Sequence, residues 1–425
     1  MAIEFYKELG SLGYLANYSN HGFLKNGIFY KTAEHYYQSE KFDDKKIKEK
    51  IIDASSPKEA SNIGRNRNYQ RRENFKDIKL EVMYQAVLEK FRQNKDIRAR
   101  LIETRNEPIK EMTTKESFWG VGPNFDGQNN SGKILEVVRE KIKEEVILNI
   151  IKKCKGKKIY VIGHENPDVD SIFSSLILTN ILRSFGINAV FSVRDNNFID
   201  KELINDYLKD NYEIISNYNH KSFILVDHNN LLKMDKYQVI GAFDHHKITN
   251  DIEDLIEIEY ASTGLLLYDL FKGYYKFNDY EQLLIALTVL SDTEYLTSSR
   301  FTKEDKKIFS TLGINLNVKK IQQKYFKITD FTKKIEFNLN QDKKTYKRKD
   351  LVIKRSLIKS YSQEKQKYYI KYKKAIKEYN IDLLIWCDYE CKKTYLCTKK
   401  YDLIFPYFTT STNLILDYLN ERNYL

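Results

Sequence analysis

The chain has 425 residues, 42% of them hydrophobic, with 71 Lys and Arg set against 59 Asp and Glu for a net charge of +12. That length calls for two or three domains, and the apolar share supports packed cores, which excludes wholesale disorder. Four scattered cysteines exclude a disulfide framework, and no run approaches the roughly 20 apolar residues of a membrane span, so the expectation is a cytoplasmic protein with no membrane partner.

In chain order, Thr32 to Phe42 reads as a helix capped by Thr32, on which Glu34, Gln38 and Lys41 fall at i, i+4 and i+7 and share one face. Trp119, within Phe118-Trp119-Gly120-Val121-Gly122, offers a flat stacking surface beside glycines that let backbone approach a ligand. Gly127 to Gly132, ahead of the next helix, can present amides to a phosphate and also reads as an ordinary turn. Gly132 to Cys154 is predicted as one amphipathic helix, because Ile134, Leu135, Val138, Ile142, Val146, Ile147 and Ile150 recur at helical spacing. Lys152 to Lys158, with Gly156 inside it, ends that helix and sets the first domain boundary.

These residues sit in segments that resemble the NADAR, or YbiA-like, family: Leu15-Ala16-Asn17, Tyr30 to Gln38, Lys41-Phe42, Ser56 to Ala60, Gly64-Arg65, Glu116 to Gly122 and Asn129 to Lys133. The resemblance covers residues 1–153. It implies a mainly helical α+β domain associated with ADP-ribose chemistry and cleavage of N-glycosidic bonds. An ADP-ribose-type ligand would then meet Asn17, Gln38, Trp119 and Asn129. Glu34 or Glu116 would stabilise the positive charge that builds on the sugar or activate water, or Lys41 would instead trap the opened sugar as a Schiff base; the sequence does not choose between these roles. Ala16 stands where the family tends to have Ser, and Glu116 where Asp is common.

From Ile159 the pattern changes. Strands are predicted at Ile159–Ile162, Asn188–Val193, Ser222–Val226 and Gln238–Phe243, alternating with helices at Ser171–Phe185, Thr263–Phe271 and Glu281–Leu290. Alternation of this kind implies a doubly wound parallel sheet. His164, Asp168 and Asp170 directly follow the first strand, Asp227 and His228 the third, and Asp244, His245 and His246 the fourth, while Asp292 ends a helix. The carboxyl ends of parallel strands open on one crevice. Carboxylates gathered there repel one another unless cations neutralise them. Carboxylate oxygens with imidazole nitrogens suit Mn²⁺, Mg²⁺ or Co²⁺, and less obviously Zn²⁺, and two such ions about 4 Å apart can share an activated water. This points to hydrolysis of a phosphoanhydride or phosphoester.

The order GHENPDVDS, VDHN, DHH and SDT resembles the DHH phosphoesterase superfamily, and within it the manganese-dependent family II inorganic pyrophosphatases. By that resemblance His164 and Asp168 would hold one metal, Asp170, His245 and Asp292 the other, and Asp227 would bridge them. His246 would face the substrate phosphate and protonate the leaving group, with Asp244 supporting the histidine pair. The resemblance places this DHH domain at 157–315 and a smaller α/β domain of the DHHA2 kind at 326–425. Lys399 and Lys400 are the nearest match to the phosphate clamp of that last domain, but no arginine accompanies them. The expected partner is a small phosphate substrate such as pyrophosphate. Two other readings are carried. One is a nucleic-acid repair or antitoxin protein that removes ADP-ribose from guanine and cleaves oligonucleotides. The other is a first domain that senses ADP-ribose without turnover.

Overall fold

The computed structural model describes residues 2–231, 238–246, 252, 254–298, 300–325, 334–341, 343–348, 351–360, 362–388, 391, 393–398, 400–406 and 412–422. The chain begins with β1 (Ile3–Phe5), β2 (Phe23–Lys25), β3 (Ile28–Tyr30), α1 (Ala33–Ser39), α2 (Lys45–Asp53), α3 (Pro57–Gly64), α4 (Phe75–Gln93), α5 (Lys95–Glu103), β4 (Ile109–Glu111) and α6 (Asn130–Cys154). Thr32 caps α1 by accepting the His35 amide. Ser56 caps α3 the same way through the Glu59 amide, with Pro57 in the first turn, where a missing N–H costs nothing. The seven apolar residues predicted along α6 are all buried. The first half of α6 packs on β4, α4 and α5, and its last turns reach the next sheet.

That sheet follows in β5 (Lys158–Ile162), α7 (Val169–Ser184), β6 (Asn188–Val193), α8 (Lys201–Tyr207), β7 (Glu213–Ile214), β8 (Ser222–Val226), β9 (Val239–Asp244) and β10 (Leu255–Glu257). Its six strands lie in the order β10-β9-β8-β5-β6-β7, every pair parallel. The four predicted strands are the central ones. Gly241 in β9 lets α6 come close, since a Cβ there would sit 3.1 Å from Ile150 and 2.9 Å from the Asp254 carbonyl. Asn149 and Lys153 of α6 donate to the buried Asp254 carboxylate at 2.6–3.0 Å.

The remaining elements are α9 (Thr263–Phe271), α10 (Asp279–Asp292), α11 (Lys303–Ser310), α12 (Val318–Tyr325), α13 (Ile335–Gln341), β11 (Lys344–Arg348), β12 (Leu351–Ser360), α14 (Ser362–Glu378), β13 (Leu383–Asp388), β14 (Lys393–Thr398), β15 (Asp402–Phe405) and α15 (Thr412–Glu421). Strands β11 to β15 make a mixed sheet in sequence order, with only β12–β13 parallel. One face packs Ile353, Ile385 and Leu396 on α15 residues Ile415, Leu416 and Leu419. The other packs Ile358, Leu384 and Trp386 on Tyr372 and Ile376 of α14. The chain thus holds the helical α+β region, the doubly wound parallel sheet and the smaller α/β sheet. It divides into two compact units. One comprises Met1–Glu165, Leu178–Arg194 and Tyr212–Glu259, the other Asn166–Ile177, Asp195–Asn211 and Tyr260–Leu425. Among the described residues no helix is long and apolar enough to cross a membrane.

Candidate functional site

In the first unit, a cavity of about 1510 Å³ is lined by Asn17, Glu34, Gln38, Lys41, Glu116 and Trp119, six of the seven residues predicted for the first domain. Helix α1 places Glu34 and Gln38 one turn apart, and Gln38 Nε2 donates to Glu34 Oε1 at 2.6 Å. Gln38 Oε1 has no hydrogen-bond partner among the described residues. Gly64 is required beneath it, because a Cβ there would collide with that oxygen. Glu34 is only 5% exposed. Burial raises its pKa above the ordinary carboxylate value, against the opposing pull of Gln38, Lys41 and Arg65. Burial also pushes Lys41 down to about 8, opposed by Glu34. Lys41 Nζ lies over the Tyr37 ring at 5.1 Å, and Tyr37 meets Trp119 edge-on at 5.6 Å.

Glu116 and Asn129 are engaged locally. The Glu116 carboxylate accepts the amides of Phe118, Trp119 and Gly120 at 2.7–3.3 Å, fixing the turn that presents Trp119. Asn129, at a left-handed φ of 51°, donates to the Ile109 carbonyl and accepts the Glu111 amide, which ties β4 to the start of α6. Two groups escaped the sequence reading. Glu111 faces the same cavity, its pKa raised by burial and by Glu116 and Glu34. Lys90 on α4 is fully buried, its Nζ 2.9 Å from the carbonyl of Ala16 in the cavity wall, and burial pushes it down to about 7. Neither had a local signal, since each acquires its setting only through tertiary packing.

Also in the first unit, the ends of β5, β8 and β9 bring His164, Asp227, Asp244, His245 and His246 together. Asp227 has a left-handed φ of 61° and is 2% exposed. His164 Nε2 and His245 Nε2 face its two oxygens at 3.3 Å each, and His246 Nδ1 lies 3.6 Å away. Burial raises the Asp227 pKa, but His164 and His245 outweigh it and hold the carboxyl well below the usual range. Asp244 accepts His246 Nδ1 at 2.8 Å, the His246 amide at 3.0 Å and Asn229 Nδ2 at 2.7 Å. With its Nδ1–H spent on Asp244, the half-exposed His246 ring has Nε2 left for other partners.

The donor set fits a divalent cation. His164 Nδ1 lies 2.9 Å from the Glu165 carbonyl, which can only accept, so Nδ1 carries the proton. With a second proton on Nε2 the ring donates to Asp227; without it, Nε2 presents a lone pair to a carboxylate oxygen, an arrangement that repels unless a cation lies between them. Two ligand atoms on neighbouring corners of an octahedral ion stand about 3 Å apart, close to the 3.3 Å separations here. Asp227, His245 and His246 meet the spacing of a metal site.

Three predicted ligands belong to the second unit. Asp170 is buried and accepts the Thr263 and Gly264 amides at the start of α9, at 2.6 and 3.0 Å, and the Ser174 hydroxyl at 2.7 Å. Asp168 accepts the Ser171 amide at 3.0 Å, and Asp292 is the last residue of α10. Lys400, also there, is exposed, whereas Lys399 lies outside the described residues.

Comparison with known proteins separates two regions of the chain. A NADAR domain is matched over residues 4–143 and the N-terminal domain of the DHH family over residues 158–291. An N-glycosidase of Nostoc punctiforme is 40% identical over 146 residues, which cover 34% of this chain and 94% of that protein. A riboflavin biosynthesis protein of Vibrio vulnificus is 34% identical over 157 residues, 37% of this chain and 43% of that relative. The chain therefore belongs to the NADAR family, and a DHH domain follows. A crystal structure of a candidate family II inorganic pyrophosphatase from Methanococcus jannaschii is similar at 20% identity and a TM-score of 0.41, covering 60% of this chain and 95% of that one.

Proposed function

We propose that the chain is a bifunctional hydrolase with domains at 1–153, 157–315 and 326–425. The DHH part hydrolyses pyrophosphate or a related phosphoanhydride or phosphoester. The NADAR part cleaves an N-glycosidic bond in an ADP-ribose or ribose-phosphate compound. The observation that carries the first half is the buried Asp227 carboxylate facing three imidazoles at 3.3–3.6 Å. His164, Asp227 and His245 are the ligands we assign from the first unit, and Asp168, Asp170 and Asp292 complete the set by the DHH motif order. Two Mn²⁺ ions held by these residues, with Mg²⁺ or Co²⁺ as substitutes, would supply an acidic water and would neutralise charge on the phosphoryl group. Asp244 orients His246 through its Nδ1–H, and in this reading a proton carried on His246 Nε2 goes to the leaving oxygen. Lys400 and Lys399 hold substrate phosphates in this reading.

For the second half, Glu34 supports the positive charge that builds on the sugar as its bond to nitrogen breaks. Lys41 supplies an amine that is about one-tenth unprotonated at pH 7. Trp119 and Asn17 bind the ligand, Gln38 Oε1 accepts from it, Glu116 shapes the wall, and Asn129 ties β4 to the start of α6. The test is turnover by the full chain with Mn²⁺ on pyrophosphate, nucleotide anhydrides and short oligonucleotides. Release of phosphate supports the reading, cleavage of oligonucleotides alone moves the DHH part to nucleic acid, and no turnover of any of them ends it.

A further inference from the structure

His228 belongs to the VDHN segment, yet neither proposed activity uses it. Its ring is buried at the end of β8, and its neighbour there is a side chain from another strand. Arg194, the residue after β6, is 7% exposed; its Nε donates to the Gly163 carbonyl at 2.7 Å and its Nη2 meets His228 Nε2 at 3.3 Å. The Tyr218 ring lies 5.7 Å from the guanidinium. Gly163 immediately precedes His164, and His228 immediately follows Asp227.

The sheet order explains the reach. Strands β8, β5 and β6 are adjacent, each about 4.8 Å from the next. A single extended side chain leaving β6 therefore passes the end of β5 and arrives at the end of β8. A guanidinium has only N–H donors, so His228 Nε2 must be the acceptor and the ring proton sits on Nδ1. Lysine would place one nitrogen where two separated donors are needed.

We propose that Arg194 is a positioning residue for the metal centre: one buried guanidinium cross-ties the loops that carry His164 and Asp227 and fixes His228 as its Nδ1–H tautomer. The inference rests on the two-metal reading of the DHH part. Two ligands on separate loops hold an ion tightly only if the loops keep their spacing, and Arg194 is bonded to the residue next to each ligand. Its role is exerted through His164 and Asp227, without contact with substrate.

The test uses the full chain in two measurements. Nitrogen-15 NMR of histidine-labelled, metal-free protein reads the His228 tautomer, and calorimetry reads Mn²⁺ affinity for wild type, Arg194→Lys, Arg194→Gln and Asp227→Ala. Wild type is expected to show the proton on Nδ1. Both Arg194 variants are expected to bind Mn²⁺ about 10- to 100-fold more weakly with wild-type circular dichroism. A proton on Nε2 in wild type overturns the proposal without any variant, so an Arg194→Gln chain that fails to fold does not rescue it. Mn²⁺ affinity unchanged in the Arg194 variants but lost in Asp227→Ala overturns this inference and leaves the metal reading standing. A wild type that binds no Mn²⁺ overturns both.

Discussion

Glu34 in the helical region and Asp227 at the strand ends are buried to nearly the same degree, 5% and 2% exposed, and their carboxyls are driven in opposite directions. Glu34 has one amide at 2.6 Å and cations that only partly offset the loss of water, so its pKa stays above the ordinary carboxylate value. Asp227 faces three imidazoles, and its charged form wins. Burial alone therefore does not assign a carboxylate its chemistry; the number and kind of its partners does. One region shifts Glu34 up and Lys41 down, bringing the two pKa values closer together. The other keeps a fixed negative charge ready for a cation.

The sharpest way to break this contrast is Glu34→Gln, which keeps size and hydrogen bonding but removes the carboxyl. N-glycosidic cleavage is expected to fall about 10²- to 10⁴-fold while phosphate release is unchanged; a loss of both activities would show that one fold defect underlies them. The pH profile comes next. If Lys41 acts as a free amine, cleavage rises about tenfold per pH unit below its pKa of about 8 and levels off above it. A rate that falls through that range would assign the work to the ammonium form. Gly64→Ala forces Gln38 off its position and is expected to cost about 1–3 kcal/mol of stability, read by denaturant unfolding; an unchanged midpoint would mean that α3 yields freely.

The last prediction is a slope and concerns Lys90. Its folded pKa of about 7 lies below the unfolded value of about 10.4, so the unfolded chain binds more protons between those values. Stability therefore rises as pH rises from 7 towards 10, by at most about 1.4 kcal/mol per unit. Lys90→Met is expected to flatten that slope in thermal melts. An identical slope in the variant would show that Lys90 keeps its proton when folded.

Much of this was legible in the sequence because it is written locally. The α6 stripe, the central strands and the Thr32 cap each depend on neighbours within a few residues. The Asp and His segments were found because parallel strands deliver their ends to one edge. Strands β7 and β10 are two and three residues long, too short for a periodic signal. Asn129 and Glu116 carry family motifs, yet their side chains bond to backbone across a loop, which spacing does not reveal. Glu111, Lys90 and Arg194 were missed because their burial arises from segments distant in sequence.

The central claim is tested most directly by phosphate release from pyrophosphate with Mn²⁺, comparing wild type with Asp227→Ala. Rapid release by wild type that the substitution abolishes is the predicted result. No release from wild-type protein shown to bind Mn²⁺ would move the metal site to another phosphate ester, and equal release by Asp227→Ala would contradict the claim.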